Sequence, residues 1–297
     1  MIAVFDIGGT SIKLGVIEEQ QPFSFVYKEE LASDAKACKG PGILARVIDK
    51  IQQLRKSYSL QGVGISTAGM VDARTGSIVY ANENIPEYTG ICIKQEVEQA
   101  TGLTCWVEND VNAAALAEAM YGAGKAVKDS IMLTIGTGIG GALVLDHAIY
   151  HGHSISAGEI GYMMICGKPY QDIASTTALV ERVQELTGEQ KLTGRIIFER
   201  AKQGDNICKQ EIECLCDIIM QGVTNCICLL NPEMVILGGG IMSQSAYLLP
   251  FIEANAQRYL IPSMRSHTQI AFALLGNDAG MVGAYVNYMQ REGEQYA

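Results

Sequence analysis

The segment "LTIGTGIGGALVL" (Leu133–Leu145) places an apolar run on each side of a glycine–threonine cluster. "FDIGGTSIKLGVI" (Phe5–Ile17) lies on it at a constant offset without a gap. Each reads as strand, tight turn, strand. Two such hairpins in one chain predict two similar domains. Gly136, Gly138 and Gly141 fit G-x-G-x-x-G, but a dinucleotide-binding turn must feed a helix whose N-terminus meets the pyrophosphate. Here "ALVLDH" follows, short and apolar, and predicts a second strand. The spacing therefore does not predict a dehydrogenase.

A plain hairpin needs one or two glycines. Four glycines and two threonines between 134 and 141, and an aspartate at the mouth of the other turn, exceed that need. Glycine backbone lets a ligand approach closely, and turn N–H groups with Thr hydroxyls suit anionic oxygens. Gly8, Gly9 and Thr10 on one turn, and Thr137 and Gly138 on the other, are candidate phosphate contacts that would grip a phosphate chain from both sides of a cleft. Asp6 cannot hold phosphate directly, since like charges repel. It can hold the Mg²⁺ that accompanies ATP, through water, because Mg²⁺ gives up its hydration shell reluctantly. A third cluster, "ILGGGI", reads as strand–turn–helix, and the bare backbone of Gly238, Gly239 and Gly240 suits the flat face of an adenosine.

The rest of the chain alternates short apolar runs with amphipathic stretches. "GVGIST" and "CWVEND" predict strands; "GILARVIDKIQQLRKS", "IKQEVEQATG" and "VNAAALAEAMYG" predict helices. This is an α/β pattern. Helices dominate after Thr176, followed by the strands "MVILGGGI" and "QIAFALLG" and a closing helix, "AGMVGAYVNYMQ". With 297 residues and 48% hydrophobic content, two domains of ordinary size can each bury a core.

A formal net charge of −10 argues against nucleic acid or an anionic membrane as partner. No apolar run approaches the roughly 18 residues of a membrane span. The start "MIAVFDIGGT" lacks a basic, cleavable leader, so a cytoplasmic chain is expected. The nine cysteines are then expected to be reduced core thiols. The pairs Cys214/Cys216 and Cys226/Cys228 lie in a helical stretch, where residues two apart point to opposite sides. The four histidines show no ligand spacing.

"VEND" ends an apolar strand and opens a helix at Val111. A carboxylate at that junction sits where α/β sheets bind substrates, but Asp is also a favoured helix cap. The residues alone leave both roles open for Asp110.

"DIGGT", "TIGTGIGG" and "LGGGI", in this order, resemble the phosphate and adenosine motifs of the actin, Hsp70 and sugar-kinase superfamily. Within it, "DIGGTSIKLGVI", "ENDVNAAALAE", "GTGIGGALV", "GEIGY" and "LGNDAGMVGAY" resemble the ROK sugar kinases (repressor, open reading frame, kinase), in register from Ile2 to about Tyr285. The resemblance implies two actin-like, ribonuclease H-like α/β domains around a nucleotide and sugar cleft. The expected boundaries are 1–117, completed by the C-terminal helix at about 280–297, and 118–279. Some relatives are repressors with a DNA-binding domain ahead of the first motif; with Asp6 so near residue 1, a kinase is expected.

The resemblance implies ATP-dependent phosphorylation of a sugar hydroxyl, the 6-hydroxyl of a hexose or hexose-containing glycoside, with Asp110 as general base. It implies sugar contacts from Gly69, Asn84, Asn109, Asp110 and Glu159, a role for Asn84 that competes with a plain turn beside Pro86. A cytoplasmic homodimer using ATP and Mg²⁺ is expected. The alternatives are a non-catalytic sugar or nucleotide sensor of the same fold, which would not need a base, and an actin- or Hsp70-like ATPase, which would lack the sugar motifs.

One departure matters. ROK kinases usually carry Gly-Glu-x-Gly-His and then a Cys-rich zinc loop ending in a sugar-binding Glu. Here Tyr162 stands at the His position and Cys166 is alone, which is no zinc site. No zinc is expected, with the Tyr162 ring packing the loop instead. Either Gln171 or Asp172 stands near the missing Glu.

Overall fold

The computed structural model describes residues 1–18 and 24–295. The chain divides into two compact units. One comprises Met1–Met120 with Gly152–Ser156 and Asn277–Ala297; the other comprises Tyr121–His151 and Ala157–Gly276.

The first unit is built on strands β1 (Ile2–Ile7), β2 (Ser11–Glu18), β3 (Ser24–Ala32) and β4 (Gly62–Thr67). A small hairpin of β5 (Met70–Asp72) and β6 (Ser77–Tyr80) follows, and then β7 (Thr104–Asn109). The main sheet has the order β3-β2-β1-β4-β7. The first three strands are antiparallel, and β1, β4 and β7 run parallel. Helices α1 (Ala35–Leu54), α2 (Ile93–Thr101), α3 (Asp110–Tyr121) and, from the far end of the chain, the closing helix Ala279–Gln295 accompany it. β1 and β4 are apolar on both faces (Ile2, Ala3, Val4, Phe5 and Val63, Ile65 buried), as strands covered on two sides must be. β3 has a regular exposed/half-buried alternation; its charged "YKEELA" hid it from the sequence reading. α1 is broken at Lys39 (φ 57°), just before Gly40-Pro41, since a proline cannot continue the helical ladder.

The second unit contains β8 (Ser130–Ile135), β9 (Ile139–Leu145), β10 (Ala148–Ile149), β11 (Met164–Ile165), β12 (Lys168–Pro169), β13 (Met234–Gly238) and β14 (Gln269–Phe272). Its sheet order is β10-β9-β8-β13-β14, with an antiparallel meander β10-β9-β8 and parallel β8, β13 and β14. The two sheets thus repeat one design: a meander whose innermost strand is extended by two further strands parallel to it. Helices α4 (Tyr170–Ala174), α5 (Thr176–Thr187), α6 (Gly194–Lys202), α7 (Asn206–Leu230), α8 (Ser245–Tyr259) and α9 (Pro262–His267) complete this unit, which makes the closing helix α10.

Both glycine motifs are hairpins, but their turns differ in length. β1 and β2 close with Ile7 opposite Ile12, whereas β8 and β9 close with Ile135 opposite Ile139. The gapless match therefore slips by one residue across the turn. Gly8 N–H donates to Ser11 C=O at 2.9 Å, and Gly136 N–H to Gly138 C=O at 2.9 Å. A gapless match did not force identical register, because the turn and not the strand sets the pairing.

Two further expectations change. α7 is long and apolar enough to cross a membrane by length and composition. It is a core helix: Ile212, Leu215, Ile219, Met220, Val223 and Ile227 are buried in a cluster with residues of α5, α6 and α8. The cysteines are not uniformly in the core. Cys105, Cys208, Cys216 and Cys226 are buried, but Cys166, Cys214 and Cys228 are exposed. A residue and its neighbour two along a helix cannot both face one core.

Candidate functional site

The ends of the parallel strands in the first unit gather the polar residues. Parallel pairing places Asp6 opposite Ser66 and Thr67 opposite Asn109; antiparallel pairing places Asp6 opposite Lys13. Ser66 Oγ donates to Asp6 Oδ1 at 2.9 Å, and Lys13 Nζ lies 3.6 Å from Asp6 Oδ2. A Cβ on Gly280, in the first turn of α10, would collide with the Asp6 carboxylate. The helix N-terminus thus abuts an anion, which its partial positive charge favours. Burial raises the Asp6 pKa, partly countered by the Ser66 hydrogen bond and by Lys13. Lys13 and Ser66 were outside the sequence-derived site. Strand alternation hinted at Lys13; nothing local marks Ser66.

The turn after β1 is held from behind. Ser33 Oγ donates to Gly9 C=O at 2.7 Å and Ser33 N–H to Thr10 C=O at 3.0 Å. Gly9 packs on Asn84, whose Cβ would be 3.3 Å from a Cβ at Gly9. Asn84 is exposed, and its N–H donates to Asn82 Oδ1 at 3.0 Å. It is therefore a turn residue that also stands beside the Gly8–Thr10 turn.

Asp110 opens α3, but the cap belongs to its neighbour. Asn109 Oδ1 accepts from Val111 N–H at 2.9 Å and Asn112 N–H at 3.1 Å, the reach of an N-cap side chain. Asn109 Nδ2 donates to Gly69 C=O at 2.9 Å and to Asp110 Oδ1 at 2.9 Å. Both amide hydrogens and the acceptor oxygen of Asn109 are thus engaged within the protein. Gly69, Asn109 and Asp110 form one connected group, extended by buried Glu108, which accepts from Asn109 N–H at 2.8 Å and Asn112 Nδ2 at 3.0 Å.

Asp110 itself keeps intermediate exposure, so it can be reached. Burial of its carboxyl, and then the nearby Asp6 charge, push its pKa up to about 6, against the pull of Val111 N–H and Asn109. Below it, Thr67 Oγ1 and Tyr88 Oη share a 2.7 Å hydrogen bond, both side chains buried. Burial raises the Tyr88 phenol, and the Asp110 charge adds to that.

In the second unit, the glycines sort into two kinds. A Cβ at Gly136 or Gly240 would meet nothing within 4 Å, leaving bare backbone accessible. Gly141 and Gly239 are packing positions instead: added Cβ atoms would overlap Ile160 with Gly158 C=O, and the Ile135 backbone, respectively. Gly238 is buried against Met132. Thr137 is exposed, and its turn is pinned by Thr176 N–H to Gly136 C=O at 2.8 Å and Thr177 Oγ1 to Thr137 C=O at 2.8 Å. Gly138 faces Gln171, whose Oε1 would be 3.1 Å from a Cβ there. Gln171 is half-buried and Asp172 exposed, so of the two it is Gln171 that stands at this turn. Glu159 heads a short 3₁₀ turn, Ile160–Tyr162. The residue as a whole is exposed, with its carboxyl shielded enough to raise its pKa.

The tyrosine that packs this loop is not Tyr162, which is 62% exposed, but Tyr170, which is fully buried. Tyr162 falls on the outer side of a single 3₁₀ turn, whereas Tyr170 opens α4 beneath it. Among the described residues, no group of three or more His, Cys, Asp or Glu stands close enough to hold a metal ion.

The sequence signature of the ROK family matches residues 2–291. An uncharacterized protein of Clostridium perfringens is 47% identical over 98% of both chains. A beta-glucoside kinase of Listeria innocua is 34% identical, again over 98% of both. Among solved structures, the ROK family glucokinase of Streptomyces griseus in complex with glucose and AMPPNP has a TM-score of 0.80 at 29% identity. That match covers 95% of this chain and 97% of the other. The chain belongs to the ROK family, and its two sheets have the actin-like two-domain fold of that family's sugar kinases.

Proposed function

We propose that this ROK-family chain transfers the terminal phosphoryl group of ATP to the 6-hydroxyl of a hexose, or of a glycoside containing one, with Asp110 as general base. The observation that carries the reading is Asp110, reachable at the end of β7, fixed by Asn109 and Val111 N–H, with a pKa of about 6. A carboxylate so tuned is ionised at neutral pH and is still a better proton acceptor than an ordinary aspartate. The sugar hydroxyl gives its proton to Asp110 as its oxygen forms the new bond to phosphorus. The bond to the bridging oxygen breaks, and ADP leaves.

Phosphoryl transfer needs alignment and charge neutralisation more than covalent help. Asp6 fits Mg²⁺ through water: its carboxylate is partly exposed beside Lys13, and one carboxylate suffices for an ion that keeps most of its shell. Mg²⁺ would neutralise phosphate charge there. Gly8, Gly9 and Thr10 are proposed phosphate contacts, as are Thr137 and Gly138. Gly238, Gly239 and Gly240 are proposed for the adenosine, with Gly240 offering the open backbone. Gly69, Asn84 and Glu159 are proposed sugar contacts. Asn109, its amide already engaged, serves the sugar by holding Asp110 and Gly69. The glucose bound by the Streptomyces glucokinase and the activity named for the Listeria protein support a glucose-like acceptor.

The test is ADP release, measured by a coupled assay, over glucose, mannose, N-acetylmannosamine, fructose, allose and β-glucosides. Release that depends on one sugar, with the product phosphorylated at O6 by NMR, supports the reading. Release without any sugar would make the chain an ATPase, and sugar binding without release would make it a sensor.

A further inference from the structure

Tyr170 occupies a socket made for it. Its hydroxyl donates to Ile219 C=O of α7 at 2.7 Å. Its ring lies where any side chain at Gly222 would stand, since a Cβ on Gly222 would overlap the ring atoms and the hydroxyl. The residue is fully buried, and burial holds its phenol well above its ordinary pKa. Nothing in this environment uses the phenol for chemistry. What it fixes is the chain on either side.

Tyr170 N–H donates to Met163 C=O at 2.8 Å, closing the loop formed by the β11–β12 hairpin. That hairpin turns at Cys166 and Gly167, both left-handed (φ 52° and 77°), as a two-residue turn matching strand twist requires. Before it, the Glu159–Tyr162 turn is seated on β9: a Cβ at Gly161 would overlap Ile139 C=O. After it, Gln171 meets Gly138 and Gly161, its Oε1 3.1 and 3.2 Å from where their Cβ atoms would be. The chain from Glu159 to Thr177 is therefore one strap. It carries Glu159 and Gln171, its last residues bind the Gly136–Gly138 turn, and α7 grips it through one buried ring.

We propose that Tyr170, seated in the Gly222 socket, is the positioning residue that holds Glu159 and Gln171 in register with the Gly136–Gly138 turn. The role rests on the sugar-kinase reading for its kinetic consequence, but not for its structural one. A tyrosine can anchor the strap between its end contacts because a filled, hydrogen-bonded socket fixes both position and direction.

Three variants test it. Tyr170→Phe keeps the ring and removes the hydroxyl. Gly222→Ala pushes the ring out. Gly222→Ala with Tyr170→Leu makes room for the added methyl group. Gly222→Ala is expected to raise the sugar KM and ATP KM together by roughly tenfold, the scale of one lost buried contact. Tyr170→Phe should give a smaller rise in the same direction, and the double variant should recover part of the Gly222→Ala loss. Amide hydrogen exchange should quicken at Tyr162, Met163 and Tyr170 in Gly222→Ala, a readout that needs no activity. If Gly222→Ala fails to fold, Tyr170→Phe carries both measurements. Lowered melting temperature with unchanged KM values and unchanged exchange at these amides would overturn the proposal. If the wild-type protein phosphorylates no sugar, the kinase reading fails while the exchange result still decides the role of Tyr170.

Discussion

Asp110→Asn should make the protein less active and more stable, and both effects follow from one shifted carboxyl. The Asp110 pKa rises from an ordinary 3.8 to about 6. Between those values the folded protein still holds a proton that the unfolded chain has released, so stability falls as pH rises through that window. Above pH 6 the whole penalty is present; below about 4 it is absent. A shift of about two units corresponds to roughly 3 kcal/mol. Asparagine removes the charge but keeps an oxygen that can accept from Val111 N–H and Asn109 Nδ2, so the helix start should survive. Urea unfolding at pH 8 should therefore favour the variant by up to about 3 kcal/mol, and the advantage should vanish near pH 4. Turnover should fall by roughly 10²–10⁴-fold, the range for a lost general base. In the wild type, kcat/KM should decline about tenfold per pH unit below the Asp110 pKa. A variant that is no more stable at pH 8, or one with near-normal turnover, would refute this account of Asp110.

Lys13→Met should raise the Asp6 pKa further by removing the cation 3.6 Å away, and should weaken MgATP roughly tenfold, as for a lost charge-assisted contact; a normal ATP KM would leave Lys13 as a surface cation. Tyr162→Phe should leave sugar KM unchanged, because the ring is exposed; a large rise with normal stability would reveal a hydroxyl contact to substrate. Under native conditions a maleimide should modify Cys166, Cys214 and Cys228 and spare Cys105, Cys208, Cys216 and Cys226, which mass spectrometry of the peptides reads directly. Metal analysis should find well under one zinc per chain, and chelation followed by excess Mg²⁺ should restore activity; rescue by Zn²⁺ alone would mean that a site was missed.

The local sequence was enough to identify both hairpins, the α/β alternation and the positions of Asp6 and Asp110. Each of these depends on residues within one strand or turn: apolar runs bury themselves, and glycine clusters mark where backbone must turn or stay bare. The same locality misled at two places and left a third open. The hairpin match hid a one-residue difference in turn length. For Asp110 the residues left base and cap both open; Asn109 Oδ1 takes Val111 N–H and Asn112 N–H, and Asp110 Oδ1 shares only the first. Tyr162 looked like the packing residue of its loop, but Tyr170 lies inside.

Tertiary structure alone decided the partners. Ser66 reaches Asp6 because β1 and β4 pair in parallel with those residues opposite. Gly280 meets Asp6 because the last helix returns to the first strand, and Gly222 admits Tyr170 because α7 runs beneath α4. The Asp110 pKa has the same origin, since burial and a second carboxylate from another strand set it. Register and burial are made by segments far apart in the chain. A side chain's local neighbours can say which chemistry it is capable of, and only its distant ones determine whether it is oriented, shielded and charged to perform it.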